Sequence, residues 1–263
     1  MLTISIASLS GGQGKTTASL MLGRLLSRQG YPTLLIDADP QHNLTTYLDV
    51  ELQTNQPTLL EFLKKSVSAE NSIYPSEGND NLFLIPADDQ LDTVQDYLSN
   101  SGVGATLLKR RLEPIADAFK VCIIDAPPQR SQICLTVLGA ADSLIIPAEA
   151  SVKGYGSLVR TLDLLRTLQD MGATDAQVMG VLPFRDRWIG NTQTHESRAA
   201  VDGMRDEVGE ALILPSIRES ERYKQAINRR STLSDMGYPE LEYPFEVLID
   251  KISKLAKKKK TKS

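Results

Sequence analysis

The sequence predicts a doubly wound α/β fold: a mainly parallel sheet with helices on both faces. Three observations carry this expectation. Short β-branched apolar runs alternate with amphipathic stretches along the chain. Several of those runs are almost continuously apolar, as strands buried on both faces must be. A glycine-rich segment stands where the first run gives way to a helical pattern, at Gly11–Gly14. The strand-like runs are 3–8, 33–37, 82–86, 120–125, 143–147, 177–183 and 211–215. Between the last three lie helical patterns such as Leu158, Leu162, Leu165 and Leu168, whose spacing of three to four residues makes one apolar stripe. Residues 67–81 and 186–196 are polar and turn-rich, and are expected to be surface loops.

Composition sets the outer bounds. The chain has 263 residues, 41% hydrophobic and 24% charged, enough for one large α/β domain or two small ones and unlike a collagenous, disulfide-rich or disordered chain. The uncharged, largely apolar stretch 131–141 is far shorter than the roughly 20 apolar residues a membrane-crossing helix needs. A cytoplasmic protein is expected. Cys122 and Cys134 sit inside apolar segments without metal-ligand spacing and read as reduced structural thiols. The formal charge is −4, but six lysines and no acid occupy the last eleven residues, so residues 1–252 carry −10. The expected organisation is a single domain over 1–252 followed by a basic tail over 253–263.

The chemistry begins at Gly11-Gly12-Gln13-Gly14-Lys15-Thr16-Thr17. Glycines let backbone N–H groups wrap a phosphate, and the following helix N-terminus adds its positive end. Lys15 then reaches the β- and γ-phosphates, and the Thr16 hydroxyl faces Mg²⁺. A merely flexible glycine turn would not need Gly-Lys-Thr at a strand-to-helix junction. Asp37 and Asp39 close the second strand in IDADPQ, and Asp125 closes a later one in IIDAPP. All three therefore fall at carboxyl ends of strands, where open α/β sheets bind ligands. One such acid alone would more commonly be a turn residue.

The segments SGGQGKTT, DADPQ and DAPP, followed by IIPAEAS and by Ile217-Arg218-Glu219-Ser220 with Ala226, resemble the ParA/MinD family of deviant Walker ATPases over about the whole chain. That resemblance implies a homodimer closed face to face around two ATP molecules, hydrolysis by an Mg²⁺-dependent site, and positioning of cargo on a nucleoid or a membrane. It also implies that Asp39 orients the attacking water, while Asp37 and Asp125 join Thr16 in holding Mg²⁺. One position departs from the pattern. The family places a lysine directly before the paired glycines, reaching across the dimer to the partner's phosphates, and this chain has Ser10 there. Together with Gln13, that substitution resembles the branch that distributes carboxysomes with a small adaptor on its cargo.

A closed phosphoryl-transfer site without that lysine needs another cation. Arg130, Lys153, Arg185 and Arg187 all follow strand ends. Lys153, in the glycine-containing SVKGYG, is the expected replacement, with Arg130 second; a solvated lysine at a helix start is the plain alternative. The resemblance places the adenine beside Pro183, Phe184 and Pro215, although Phe184 could equally be core.

Arg218, Arg222, Lys224, Arg229 and Arg230 crowd one segment, and Lys251, Lys254, Lys257 and Lys258 lie near the end. Interspersed acids allow a solvated, ion-paired face. Contacts to DNA phosphates need only clustered cations, so ATP-gated binding of nonspecific double-stranded DNA, with nucleoid association, is the favoured expectation. Phe245, Leu248, Ile252 and Leu255 form a stripe that would suit a membrane helix, but packing on the body is the simpler reading. An iron–sulfur reductase would need two accessible thiolates per subunit, and Cys122 is expected to be buried. An ATP-dependent ligase and a plasmid or chromosome partition ATPase remain alternatives.

Overall fold

The structure is a computed structural model that describes residues 1–50, 52–53 and 55–260, with Lys260 described by its backbone alone. The elements run β1 Leu2–Ile6, α1 Lys15–Arg28, β2 Thr33–Asp37, α2 Asn43–Tyr47, α3 Leu59–Lys64, β3 Tyr74–Pro75, β4 Leu82–Ile85, α4 Val94–Asn100 and α5 Gly104–Leu112. They continue with β5 Val121–Asp125, α6 Gln132–Ala140, β6 Ser143–Glu149, α7 Val152–Asp170, β7 Gln177–Asp186, β8 Trp188–Ile189 and β9 Thr192–Gln193. Last come α8 His195–Val208, β10 Ile217–Arg218, α9 Arg222–Asn228 and α10 Tyr243–Lys260.

Among the described residues the main sheet has the order β10-β7-β6-β1-β5-β2-β4-β3, parallel except where β3 runs against β4. The almost unbroken apolar strands are buried on both faces, as their composition demands. Alternation sorts their side chains into two cores. Leu34, Ile36, Cys122, Ile124, Leu144 and Ile146 face α3 to α8. Ile4, Ile6, Leu35, Val121, Ile123 and Ile145 face α1, α2, α9 and α10. The cores sandwich the sheet and fix strand register, because a slip of one residue would exchange the two sets.

That register aligns the strand ends that matter. Ile6 pairs with Asp125, and Asp125 with Asp37, so the ends of β1, β5 and β2 lie level. β1 has β5 on one side and β6 on the other, the switch point at which open sheets bind ligands.

Three expectations change. Residues 211–215 do not form a strand: a 3₁₀ turn spans Glu210–Leu212, and only Ile213 makes an isolated bridge, to Val181. Pro215 lacks the N–H that would extend the ladder, and pairing resumes only at β10. The loop over 67–81 contains a 3₁₀ turn and β3, and the loop over 186–196 folds into the β8–β9 hairpin. The basic segment is not a detached tail up to Lys260. α10 runs through it, Ala256 is buried, and the Ser253 hydroxyl lies 3.0 Å from that of Tyr31. The apolar stripe continues past residue 252 and carries the helix with it. The remainder of the expected tail, 261–263, lies outside the described residues.

Candidate nucleotide site

The chain leaves β1 and returns as α1 through residues that only glycine suits. Gly12 and Gly14 have φ of 81° and 91°. At Gly14 a Cβ would also lie 2.6 Å from the Phe184 ring. This loop caps α1 without any side-chain bond, leaving the helix N–H groups for an anion. Lys15 is buried and donates to the Ser10 carbonyl at 3.0 Å, folding its ammonium over the loop. Burial lowers its pKa, while Asp125 and Asp39 oppose that fall.

Two carboxylates stand beneath the loop. Asp37 is fully buried and accepts from the Thr45 N–H and hydroxyl, both at 2.8 Å, and from the Asp39 N–H at 3.2 Å. It thereby pins α2 to β2. Asp125 accepts from the Ser19 hydroxyl at 3.1 Å, and the Thr16 side chain lies near it. Its second oxygen, Oδ2, is buried with no hydrogen-bond partner. Burial, then the Asp37 carboxylate, push the Asp125 carboxyl far above the ordinary range; burial likewise raises Asp37. An orphaned buried carboxylate oxygen beside a second carboxylate and a threonine hydroxyl suits a divalent cation. Among the described residues no three acidic, histidine or cysteine side chains form an all-protein metal cage.

The cleft above this floor holds about 290 Å³ and is lined by residues 11–17 with Asp39, Tyr47, Pro128, Phe184 and Arg185. Asp39 is half-buried, and its Oδ1 accepts from the Gln41 N–H at 3.0 Å. Lys153 is exposed on the first turn of α7 and donates to the Gly11 carbonyl at 3.3 Å. The other strand-end cations lie differently. Arg185 lines the cleft but faces Glu149, at 3.9 Å, and lies over Phe184. Arg187 pairs with Glu219 at 3.0 Å, and Arg130 is exposed beyond Pro128.

The expected adenine residues separate. Phe184 packs on Gly14 and lines the cleft, and Pro183 is buried beside it. Pro215 lines a different cavity, of about 350 Å³, with Trp188, Arg218 and Tyr223. Tyr47 and Arg185 line the nucleotide cleft without a sequence signal to announce Tyr47, whereas Arg185 was already among the cations following strand ends.

The expected DNA residues also divide. Arg218 stacks on Trp188 and Arg222 on Tyr238, with guanidinium-to-ring distances of 4.2 and 4.5 Å. Lys224 pairs with Glu221, Arg230 with Asp49, and Lys251 donates to the Met179 carbonyl. Arg229 is exposed. Lys254, Lys257 and Lys258 are exposed on α10, whose end lies by Met1, Pro32 and Lys120 at the amino ends of the strands, opposite the phosphate loop.

A phosphate loop at the switch point of a parallel sheet, with paired acids at the next strand ends, defines a P-loop nucleotide triphosphatase. The family model that describes the AAA domain matches residues 1–172. The chain belongs to the ParA-type ATPases of that family. It is 53% identical over 252 residues to the maintenance of carboxysome distribution protein A of Synechococcus elongatus, covering 96% of this chain and 99% of that one. It is 32% identical to the sporulation initiation inhibitor protein Soj of Bacillus subtilis, over 68% of this chain and 70% of that one. The solved structure of a Cyanothece McdA variant in complex with ATP superposes with a TM-score of 0.94 at 50% identity, covering 96% of each chain.

Proposed function

We propose that this chain is an ATP-driven positioning switch: its ATP-bound homodimer binds DNA without sequence preference, and a cargo-bound adaptor releases it by stimulating hydrolysis. The names of its relatives point to carboxysomes as the cargo. In this reading Lys15 and the loop N–H groups hold the phosphates, and Asp39 orients the attacking water. Thr16, Asp37 and Asp125 would hold Mg²⁺, the acids partly through water. When bound, the metal neutralises charge on the phosphoryl oxygens.

The observation that carries the proposal is Lys153. Its ammonium rests on the Gly11 carbonyl, at the mouth of the loop whose preceding residue, Ser10, has no charge. From there it can leave for the partner's phosphates, supplying in trans the cation that Ser10 cannot. Lys153→Ala should bind ATP but fail to form the ATP-dependent dimer, lowering turnover about tenfold or more; sedimentation with ATP and a phosphate-release assay check this. Unchanged dimerisation and turnover would sink the assignment.

Nonspecific DNA contacts suit Arg229, Lys254 and Lys258, which are exposed. Arg218 and Arg222, stacked on aromatic rings, and the paired Lys224, Arg230 and Lys251 would have to leave those partners to contribute. A membrane-bound reading loses its main support, because Phe245, Leu248 and Ile252 are buried in the core. No helix among the described residues is long and apolar enough to cross a membrane. The reductase reading fares no better, since Cys134 is as buried as Cys122.

A further inference from the structure

Gln13 ties the phosphate loop to the end of β6, just before the first turn of α7 that carries Lys153. Its side chain is fully buried, although it lies between two exposed or half-buried glycines. Its Oε1 accepts from the Glu149 N–H at 2.8 Å, and its Nε2 donates to the Gly11 carbonyl at 3.4 Å. That carbonyl is the one on which Lys153 rests at 3.3 Å. Glu149 continues the connection, because its carboxylate accepts from the Ser151 hydroxyl at 3.3 Å. Ser151 in turn caps α7 by accepting from the Gly154 N–H, also at 3.3 Å. Gly154 leaves no slack: a Cβ there would lie 1.9 Å from the Glu149 carbonyl oxygen. Lys153 is thus held at the end of a short, tightly packed chain of contacts that begins at Gln13.

We infer that Gln13 is a positioning residue for Lys153. This rests on the reading of Lys153 as the cation that crosses the dimer. The amide does two things that an apolar residue of the same size would not. It fixes the end of β6 against the phosphate loop, so that Lys153 starts from a defined place. It also keeps a donor on the Gly11 carbonyl after the ammonium has left for the partner's phosphates, which lowers the cost of that departure. Ser10 and Gln13 then belong together: losing the cation within the loop is matched by a side chain that orients one from outside it.

The test compares the full-length chain with Gln13→Met, which keeps the volume and removes the amide, with Lys153→Ala, and with the double variant. The readouts are ATP-dependent dimerisation, kcat and KM for ATP, and thermal unfolding without nucleotide. Gln13→Met should weaken dimerisation about tenfold and lower kcat while KM moves by less than about threefold. In the double variant Gln13→Met should add less than about twofold to the loss from Lys153→Ala, since both act through one group. Ser151→Ala, at the far end of the same contacts, should shift dimerisation in the same direction even if Gln13→Met proves poorly folded. If Lys153→Ala is defective but Gln13→Met and Ser151→Ala dimerise like the parent, or the two losses multiply in full, the inference about Gln13 is overturned. A change in KM alone would overturn it too, marking Gln13 as an ATP-binding residue. A Lys153→Ala variant identical to the parent would overturn the cross-dimer reading itself, and this inference with it.

Discussion

Gly14 shows how little freedom single residues have at the nucleotide site. Its φ of 91° and the 2.6 Å from a Cβ to Phe184 make Gly14→Ala both strained and crowded. ATP affinity should fall at least about tenfold, measured by equilibrium binding. Asp39→Ala should instead bind ATP and lose turnover by about a hundredfold or more, because no buried structural bond depends on its side chain beyond the turn to Gln41. Retained turnover would remove Asp39 from the water-orienting role. Residues such as Lys15 and Thr16 were legible because the chemistry sits in consecutive positions, where spacing is the signal. The contact between Gln13 and Glu149 was not, because 136 positions separate the two and no local pattern marks a glutamine amide that bridges loops.

At the scale of elements, α10 decides between a free basic arm and a packed helix. Phe245 is fully buried against Tyr223, so Phe245→Ala should destabilise the fold by about 3–5 kcal/mol. Lys258→Ala, on the exposed side of the same helix, should change stability by less than about 0.5 kcal/mol. Chemical denaturation of the two variants separates the faces. The apolar stripe from Phe245 was legible in sequence; that the helix persists through the lysines was not, since charge runs are good helix residues and good solvated tails alike. The run 211–215 misled for a related reason: apolar and β-branched residues fit a strand, but Pro215 and the short span leave one bridge. The junction of α1 with the segment after α9 makes a small pH-dependent contribution. Arg28 bonds Asp235 at 2.5 and 3.1 Å and holds its carboxyl below the ordinary range. A depressed carboxylate stabilises fully above its unfolded pKa, about 3.9, and that contribution is lost as pH falls through the folded value. Both groups are about half exposed, so Asp235→Asn should cost less than about 1 kcal/mol near neutrality and nothing once pH has fallen below the folded value. Thermal unfolding against pH reads the difference.

For the whole molecule, topology explains why distant residues converge. The order of the sheet puts β1 between β5 and β6, so the phosphate loop meets Asp125 on one side and the start of α7, with Lys153, on the other. The alternation of apolar runs with helical patterns was sufficient to anticipate the doubly wound class, because each buried central strand carries its own signal, but not the order of the strands. The arrangement of the cationic groups required the folded chain. It places Lys254, Lys257 and Lys258 toward the amino ends of the strands, opposite the nucleotide, and the residues around α9 apart from them. In the proposed function, nucleotide control of DNA binding would therefore act through the proposed dimer, which would double and orient the cationic surfaces, rather than through direct contact with ATP. The most direct measurement of that claim is binding to random-sequence DNA with ATP, with ADP and without nucleotide, over a range of salt concentrations. The account predicts binding with ATP alone that weakens steeply as salt rises. Binding of equal strength in all three states, or in none, would contradict it.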